Sequence, residues 1–252
     1  MTTKVRERLV TAGFFVGLLL VWEVLSDVGV LNPSLAPGPR QVLGTGVMLF
    51  EEGLLYDMRV TLTYILASFA IAVVGGVLIG ALLSVSATVT QVAEGFLTFL
   101  LSIPKSLFLP LFILIVGIGA AQKIAFGVFS SFAVIVAATI VGLAQVDHDL
   151  VRMARSQGAT PLQIFFKTHL PSMTPTLLEA ARIAMILNIT GVLIAEMYAS
   201  REGLGYLVSN YGQNFQVDRL LVVIFVVTTI GIVLNEILRG LELRQERWRE
   251  GT

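Results

Sequence analysis

Cysteine is absent from this chain, and charged residues are scarce. The 252 residues include no Cys and only 13% Asp, Glu, Lys and Arg, about half the share usual in soluble domains. Disulfides and cysteine-ligated metals are therefore excluded. Lys plus Arg (17) balance Asp plus Glu (17), so no basic excess indicates nucleic-acid binding. The two histidines, His148 and His169, are interpreted as solvated loop residues rather than a metal pair.

The chain also lacks the motifs of common enzymes. None of its lysines follows a glycine, so there is no Walker A loop, in which a Gly-Lys-Ser/Thr run cradles phosphate. If ATP drives this protein, another chain must hydrolyse it. No serine lies in a G-x-S-x-G elbow, and we predict no catalytic residue and no bound metal. A membrane enzyme would need a reactive cluster that the sequence does not contain.

The chain contains long apolar runs, and 56% of its residues are hydrophobic. We predict an all-α, polytopic transmembrane bundle, with residues 1–252 forming a single domain. The basic start followed by an apolar run resembles a signal peptide, but no small-x-small cleavage site follows, so we interpret it as a retained first span. The six predicted spans are Leu9–Val30, Ile65–Val85, Gly95–Gly119, Ile124–Gln145, Thr176–Ala195 and Leu220–Leu238.

The connections between the spans differ in character. The predicted outer loops are 31–57 and 197–217, and the predicted cytoplasmic loop is 146–175. Proline-rich Leu31–Arg40 is read as an extended linker, and Gln41–Tyr56 as an amphipathic helix on the outer surface. With six spans, both termini and the 146–175 loop fall on one side. That side carries more Lys and Arg, so the positive-inside rule predicts that it is cytoplasmic.

Two patterns within the spans predict helix contacts. Gly75, Gly76 and Gly80 include a G-x-x-x-G, which favours close packing against another helix. Glu179 and Arg182 lie one turn apart at the start of the fifth span and are predicted to pair.

The polar segment Val151–Pro171 is the longest mixed-charge stretch inside the apolar sequence. Asp147 or Asp149 can cap a first short helix, and Gly158 suits the left-handed residue after it. Thr160-Pro161-Leu162-Gln163 is a capping box that starts a second helix. Leu170-Pro171 is predicted to end that helix near His169. The segment has the spacing of a DNA-binding helix-turn-helix, but its thin charge and the flanking spans disfavour that function.

Three polar residues within the spans are candidates for a translocation pathway. Lys105 lies between Pro104 and Pro110, where it either faces a water-filled path that attracts anions or extends to the interface. Asn188 either lines the path or bonds a neighbouring helix. Glu196 is either a pathway residue or an interfacial carboxylate.

The loop resembles the cytoplasmic EAA loop of the permease subunit of binding-protein-dependent ABC importers, of pattern E-A-A-x3-G-x9-I-x-L-P. Ala154, Gly158, Leu170 and Pro171 match this pattern. Arg152, Met153 and Thr168 depart from it. The runs at 102–119 and 195–208, the latter including Glu196, resemble nitrate/sulfonate/taurine-type permeases.

The resemblance implies a type I importer permease of the bacterial inner membrane. Two copies would form the pathway, an ATP-binding cassette ATPase dimer would bind ATP and Mg, and a periplasmic or lipid-anchored protein would deliver a small anion such as a sulfonate, nitrate or aromatic acid. In relatives, the helix after the loop glycine docks on the ATPase. The coupling residues so implied are Arg152, Ala154, Gly158, Ala159, Thr160, Pro161, Leu162, Gln163, Phe166, Leu170 and Pro171. The alternative is a stand-alone secondary transporter or channel, which an internal repeat would favour.

Overall fold

The computed structural model describes residues 3–30, 32 and 35–250, and the regular structure in these ranges is entirely helical. The predicted all-α bundle is therefore confirmed. In chain order the α-helices are α1 (Thr3–Asp27), α2 (Pro39–Glu52), α3 (Leu54–Leu83), α4 (Ala87–Ser102), α5 (Leu109–Val116), α6 (Ala120–Ala144), α7 (His148–Ser156), α8 (Pro161–Ile164), α9 (Leu170–Ala199), α10 (Leu204–Gln213) and α11 (Val217–Glu250). A 3-10 turn, Lys105–Phe108, precedes α5, and a π turn, Phe165–His169, precedes α9.

Within the described ranges, four helices are long and apolar enough to cross a bilayer: α3, α6, the continuous helix Pro161–Ala199, and Val217–Leu243 of α11. A fifth crossing is available if α4 and Lys105–Val116, which are bent by 88°, form one broken span. At 25 residues, α1 also exceeds the roughly 20 residues that a span needs. The molecule thus agrees with the predicted count of about six spans.

The centre of the bundle is formed by α3, α6 and α9, which pack against one another along their length. Glycines permit the close approach of α3 and α6. A Cβ added to Gly76 would lie 2.7 Å from Ile135 Cγ2, and one added to Gly80 would lie 2.5 Å from Thr139 Cβ. The predicted role of this G-x-x-x-G in helix packing is confirmed.

The predicted third span, Gly95–Gly119, is not a straight helix. The chain leaves α4 at Ser102, turns at Pro104 and resumes as α5 with Pro110 in its first turn. Proline cannot donate a backbone hydrogen bond and is tolerated in a first helical turn, so the two prolines divide the run. The bend places Lys105 at the junction of the two pieces.

The fifth span begins much earlier than the predicted Thr176, and Leu170-Pro171 does not end the preceding helix. Helix α8 continues through the π turn into α9, which gives one 39-residue helix from Pro161 to Ala199. The N–H of Leu170 bonds to the carbonyl of Phe165, five residues back. This widened turn relieves the clash that the Pro171 ring would have with the preceding turn. The predicted loop 146–175 is therefore largely helical.

The second span also begins earlier than the predicted Ile65, at Leu54. Asp57 accepts a hydrogen bond from the Gly203 N–H at 2.6 Å, so its polar side chain is satisfied inside the fold. The amphipathic helix expected at Gln41–Tyr56 exists as α2, which ends at Gly53 in a left-handed conformation (φ 108°). The helix thus begins inside the predicted linker Leu31–Arg40, of which residues 31, 33 and 34 lie outside the described residues.

Two further expectations are corrected at the C-terminal end. The predicted outer loop 197–217 contains α10, and the sixth span extends from Val217 through the tail as α11. Arg182 does not pair with Glu179. It donates to Glu242 of α11 at 3.0 Å and to Asn235 at 3.3 Å, because the tertiary structure brings a second carboxylate within reach.

The bundle has two distinct ends. Helix α7, α8 and the π turn lie between the end of α6 and the start of α9. At the opposite end, Lys123 near the start of α6 donates to the carbonyl of Ala199 at the end of α9, at 3.0 Å. Thr61 near the start of α3 donates to Glu196 there as well. The predicted coupling residues of the hairpin and the predicted pathway residue Glu196 therefore lie at opposite ends of the bundle.

Candidate functional site

The segment 147–169 forms two short helices joined by a tight turn, as the local sequence predicts. Asp147 caps α7 by accepting from the Asp149 N–H at 2.8 Å. Gly158 adopts a φ of 80°. The capping box is complete: Thr160 N–H donates to Gln163 Oε1 at 2.8 Å, and Gln163 N–H donates to Thr160 Oγ1 at 3.3 Å. These local bonds stabilise the hairpin.

Large apolar side chains on this polar hairpin point away from the protein. Met153, Leu162 and Phe166 are 59%, 69% and 56% exposed, whereas Ile164 is buried and anchors the hairpin to the bundle. Arg152, at the glutamate position of the loop pattern, forms an exposed ion pair with Asp149 at 3.4 Å. Of the other predicted coupling residues, Pro161 and Pro171 are exposed and Ala154, Ala159 and Leu170 are partly buried. The hairpin thus presents an apolar surface, which commonly marks an interaction site.

Lys105 does not extend to the end of the bundle. Its Nζ donates to the backbone carbonyl of Ser130, in α6, at 2.7 Å. The side chain lines a cavity of about 290 Å³ together with Ser106, Ser130, Thr190 and others. The ammonium group therefore bonds to the backbone of a neighbouring helix.

Asn188 is fully buried between three helices. Its Nδ2 donates to Ser68 Oγ of α3 at 2.9 Å and to Ser131 Oγ of α6 at 3.4 Å, and Ser68 donates back to its Oδ1 at 3.1 Å. Buried amides need such partners. Asn188 therefore bonds to neighbouring helices, which is one of the two roles expected from the sequence.

Glu196 is not an interfacial carboxylate, because it is 0% exposed. Thr61 Oγ1 donates to both of its carboxylate oxygens at 2.9 Å, and the Gly205 N–H donates to Oε2 at 2.8 Å. Thr61 in turn accepts from the Leu204 N–H at 2.8 Å. Glu196 therefore joins α9, α3 and the start of α10, and the close approach explains the glycines in the turn: a Cβ on Gly203 would lie 2.5 Å from Glu196 Oε1.

Sequence reasoning missed two polar residues of α6 beside this network. Lys123 falls between the predicted spans Gly95–Gly119 and Ile124–Gln145, but it is 3% exposed and donates to the carbonyls of Gly119 and Ala199. Gln122 is fully buried, and neither its Nε2 nor its Oε1 has a hydrogen-bond partner among the described residues. The available signal was their position at the start of a long run without any other charge. Lys105, Asn188 and Glu196 thus occupy three separate environments rather than one site.

The helical bundle and its exposed hairpin agree with the outcome of a comparison with protein families. Residues 72–247 match the family described as "Binding-protein-dependent transport system inner membrane component". This match covers more than half of the chain, so the protein belongs to that family. It is a multi-pass inner-membrane permease component of an ABC importer.

Curated relatives extend the similarity over nearly the whole chain. The taurine transport system permease protein TauC of Escherichia coli is 28% identical over 249 residues, covering 96% of this chain and 90% of that protein. The formylaminopyrimidine transport permease protein ThiX of Halalkalibacterium halodurans is 27% identical, with 94% of each covered. The putative aliphatic sulfonates transport permease protein SsuC of E. coli is 28% identical, covering 98% and 96%.

A solved structure supports the fold. An inward-facing conformation of the MetNI methionine ABC transporter contains a chain that superposes with a TM-score of 0.60 at 24% identity. The superposition covers 74% of this chain and 95% of that one. The predicted membership of the importer permeases and the predicted fold are both confirmed.

Proposed function

We propose that this chain forms half of the translocation pathway of an ATP-driven importer and couples to separate ATPase subunits through the hairpin 148–169. A second copy would complete the pathway, since the cavity beside Lys105 is open at the surface of a single chain, where Ser106 and Thr190 are exposed. The ATP and Mg would be bound by the ATPase partner, because this chain has no Walker A loop. A solute-binding protein would deliver the solute at the opposite end.

The exposed apolar surface of the hairpin is the observation that carries the coupling proposal. Leu162 and Phe166 are, with Met153, its largely exposed apolar side chains, and the capping box and Gly158 hold the segment in one conformation. A preformed helical hairpin loses little conformational entropy on docking. Its rigid continuation into α9 through the π turn would pass a movement of the ATPases to the centre of the bundle.

The orientation proposed for the chain follows from its charges. The hairpin and both termini would face the cytoplasm, where Lys and Arg accumulate by the positive-inside rule. The turn at 200–203 and α10 would then face the periplasm, together with the buried network around Glu196. In this arrangement, we assign Lys105 to the wall of the pathway, while Asn188 and Glu196, which are fully buried, would hold the surrounding helices in register.

A small anion is the proposed solute class. Two of the relatives above are named for taurine and aliphatic sulfonates, both of which carry a sulfonate group. Nitrate and aromatic acids fit the same class. An ammonium group inside the bundle, such as that of Lys105, attracts such solutes and repels cations.

The test of this function is copurification. The tagged chain is expressed with the genes adjacent to its own and purified in mild detergent, and the sample is assayed for an ATPase subunit and for the mass of the complex. We expect two copies of this chain with two ATPase subunits. Leu162→Asp together with Phe166→Asp should lower the ATPase yield at least about tenfold, because desolvating a carboxylate in an apolar interface is costly.

Phe215→Asp provides the matched control. Phe215 is 76% exposed but lies just after α10, at the end away from the hairpin, so its replacement should leave the ATPase yield unchanged. If wild type carries no ATPase and transports solute alone, the chain is a stand-alone transporter and the proposed function is wrong. Equal losses in the hairpin and control variants would instead show that the hairpin is not the docking surface.

A further inference from the structure

The cavity beside Lys105 lies at the break between α4 and α5, and it opens at the surface of the chain, where Ser106 and Thr190 are exposed. Its walls include Ser130, which is near the middle of α6, and Thr190 and Gly191 in the second half of α9. A lysine within an apolar run that could cross a bilayer is costly there and usually has a functional reason. The cavity of about 290 Å³ is large enough for a small organic molecule.

The charge of Lys105 is not balanced by a neighbouring carboxylate. Within the described part of the chain, no Asp or Glu oxygen lies within 4.0 Å of its Nζ, and it is the one charged residue among those that line the cavity. An ammonium group has three N–H donors. One of them bonds to the Ser130 carbonyl, so two remain available to a ligand.

The hydroxyl groups around the cavity are not equivalent. Ser130 donates to the Phe126 carbonyl at 2.8 Å, and Thr190 donates to the Ile186 carbonyl at 2.9 Å. Their hydrogens are already used. The hydroxyl of Ser106, one residue after Lys105, has no hydrogen-bond partner in the ranges that the structure describes, so its O–H can donate. Two ammonium donors and one hydroxyl donor therefore share one cavity.

The rest of the lining is apolar. Leu101 and Ile103 lie on one side of the break, and Leu187 and Ile194 belong to α9. Such a wall suits a short hydrocarbon group. It supplies no acceptor that could replace the hydration of a cation.

We propose that this cavity is a transient binding site for a small organic oxyanion, whose acid group is held by Lys105 and Ser106 and whose carbon part contacts the apolar wall. This inference rests on the proposed function and specifies the solute class and its contacts. The single unbalanced cation gives selectivity for anions, and the small number of donors keeps the binding weak enough for release.

The absence of cysteine from the chain allows a direct test that needs no knowledge of the natural solute. Ser106→Cys introduces a single thiol into the cavity of the full chain, purified with the subunits that accompany it. The thiol is reacted with 2-sulfonatoethyl methanethiosulfonate, which is itself a small organic sulfonate, and with the cationic 2-(trimethylammonio)ethyl reagent. Mass spectrometry of this chain gives both rates.

Ser156→Cys is the matched control, since Ser156 is an exposed residue at the end of α7. We expect a higher ratio of anionic to cationic reaction rates at the Ser106 position than at the Ser156 position. Lys105→Met should lower the ratio at the Ser106 position at least about tenfold through the lost Coulomb attraction, and Lys105→Arg should preserve it. Neither change should alter the ratio at the Ser156 position.

A ratio unaffected by Lys105→Met would overturn the anion site, as would a Ser106→Cys thiol that reacts with neither reagent. The same preparations are assayed for the copurified ATPase. An ATPase-containing complex with an unaffected ratio removes the anion site and leaves the permease function standing. A preparation without the ATPase counts against the proposed coupling, whichever ratio the thiols give.

Discussion

Glu196→Ala is expected to lower the free energy of unfolding by about 3 kcal/mol or more. The change leaves the hydroxyl of Thr61 and the N–H of Gly205 without their acceptor in a buried position, and each unsatisfied group costs about 1–3 kcal/mol. The loss should be concentrated at the start of α10. Unfolding of the purified protein by added sodium dodecyl sulfate measures the free energy, and hydrogen exchange of residues 203–213 measures the local effect.

Glu179→Ala is the control, because Glu179 lies on the same helix but is exposed. Its replacement should change the free energy of unfolding by no more than about 0.5 kcal/mol, as for ordinary surface positions. Glu196→Gln retains one acceptor oxygen and the side-chain volume, and should lose less than the alanine variant. Equal stabilities of the Glu196→Ala and Glu179→Ala proteins would contradict the structural role of the buried carboxylate.

Gly80→Ala is expected to destabilise the contact between α3 and α6 by about 1–3 kcal/mol, the usual effect of overpacking. A methyl group at this position would lie 2.5 Å from Thr139 Cβ and 3.0 Å from the Val136 carbonyl oxygen. The carbonyl belongs to the backbone of α6 and cannot rotate away, so the helices must separate. The same detergent titration detects the change.

Gly75→Ala tests the same helix without the clash. The nearest atom to its added methyl would be Phe132 Cε2, at 3.4 Å, which is an ordinary contact. Alanine favours a helix over glycine by roughly 0.5–1 kcal/mol, so this variant should be neutral or more stable than wild type. Destabilisation of both variants to the same extent would mean that helix contact at Gly80 is not the cause.

The hairpin was predictable in detail because its stabilising bonds are local. Asp147, Thr160 and Gln163 satisfy backbone groups two or three residues away, so their spacing in the sequence is sufficient to assign the caps. The left-handed Gly158 follows from the same kind of rule. The exposure of Leu162 and Phe166 does not follow from these bonds, because it depends on how the hairpin packs against the bundle.

The helix boundaries were less predictable, because local rules were overridden in several places. Proline at position 171 predicted a helix end, but a π turn accommodates it and the helix continues. The charge of Asp57 near the start of α3 predicted that the second span begins after it. Asp57 nevertheless lies within the helix, because its carboxylate accepts a hydrogen bond from the Gly203 N–H in the turn before α10. Such a partner is more than a hundred residues away in sequence, so composition alone reads these residues as loop.

Composition and periodicity by themselves determined that this chain is a helical membrane protein, since continuous apolar runs of about 20 residues cross a bilayer as internally bonded helices. The local caps determined the hairpin, and the motifs around it determined the family. The tertiary structure decided which polar residues face one another. The packing of α3 against α9 brings Thr61 to Glu196, and the packing of the α4–α5 break against α6 brings Lys105 to the Ser130 carbonyl. These partners are distant in sequence, and no local pattern encodes their proximity.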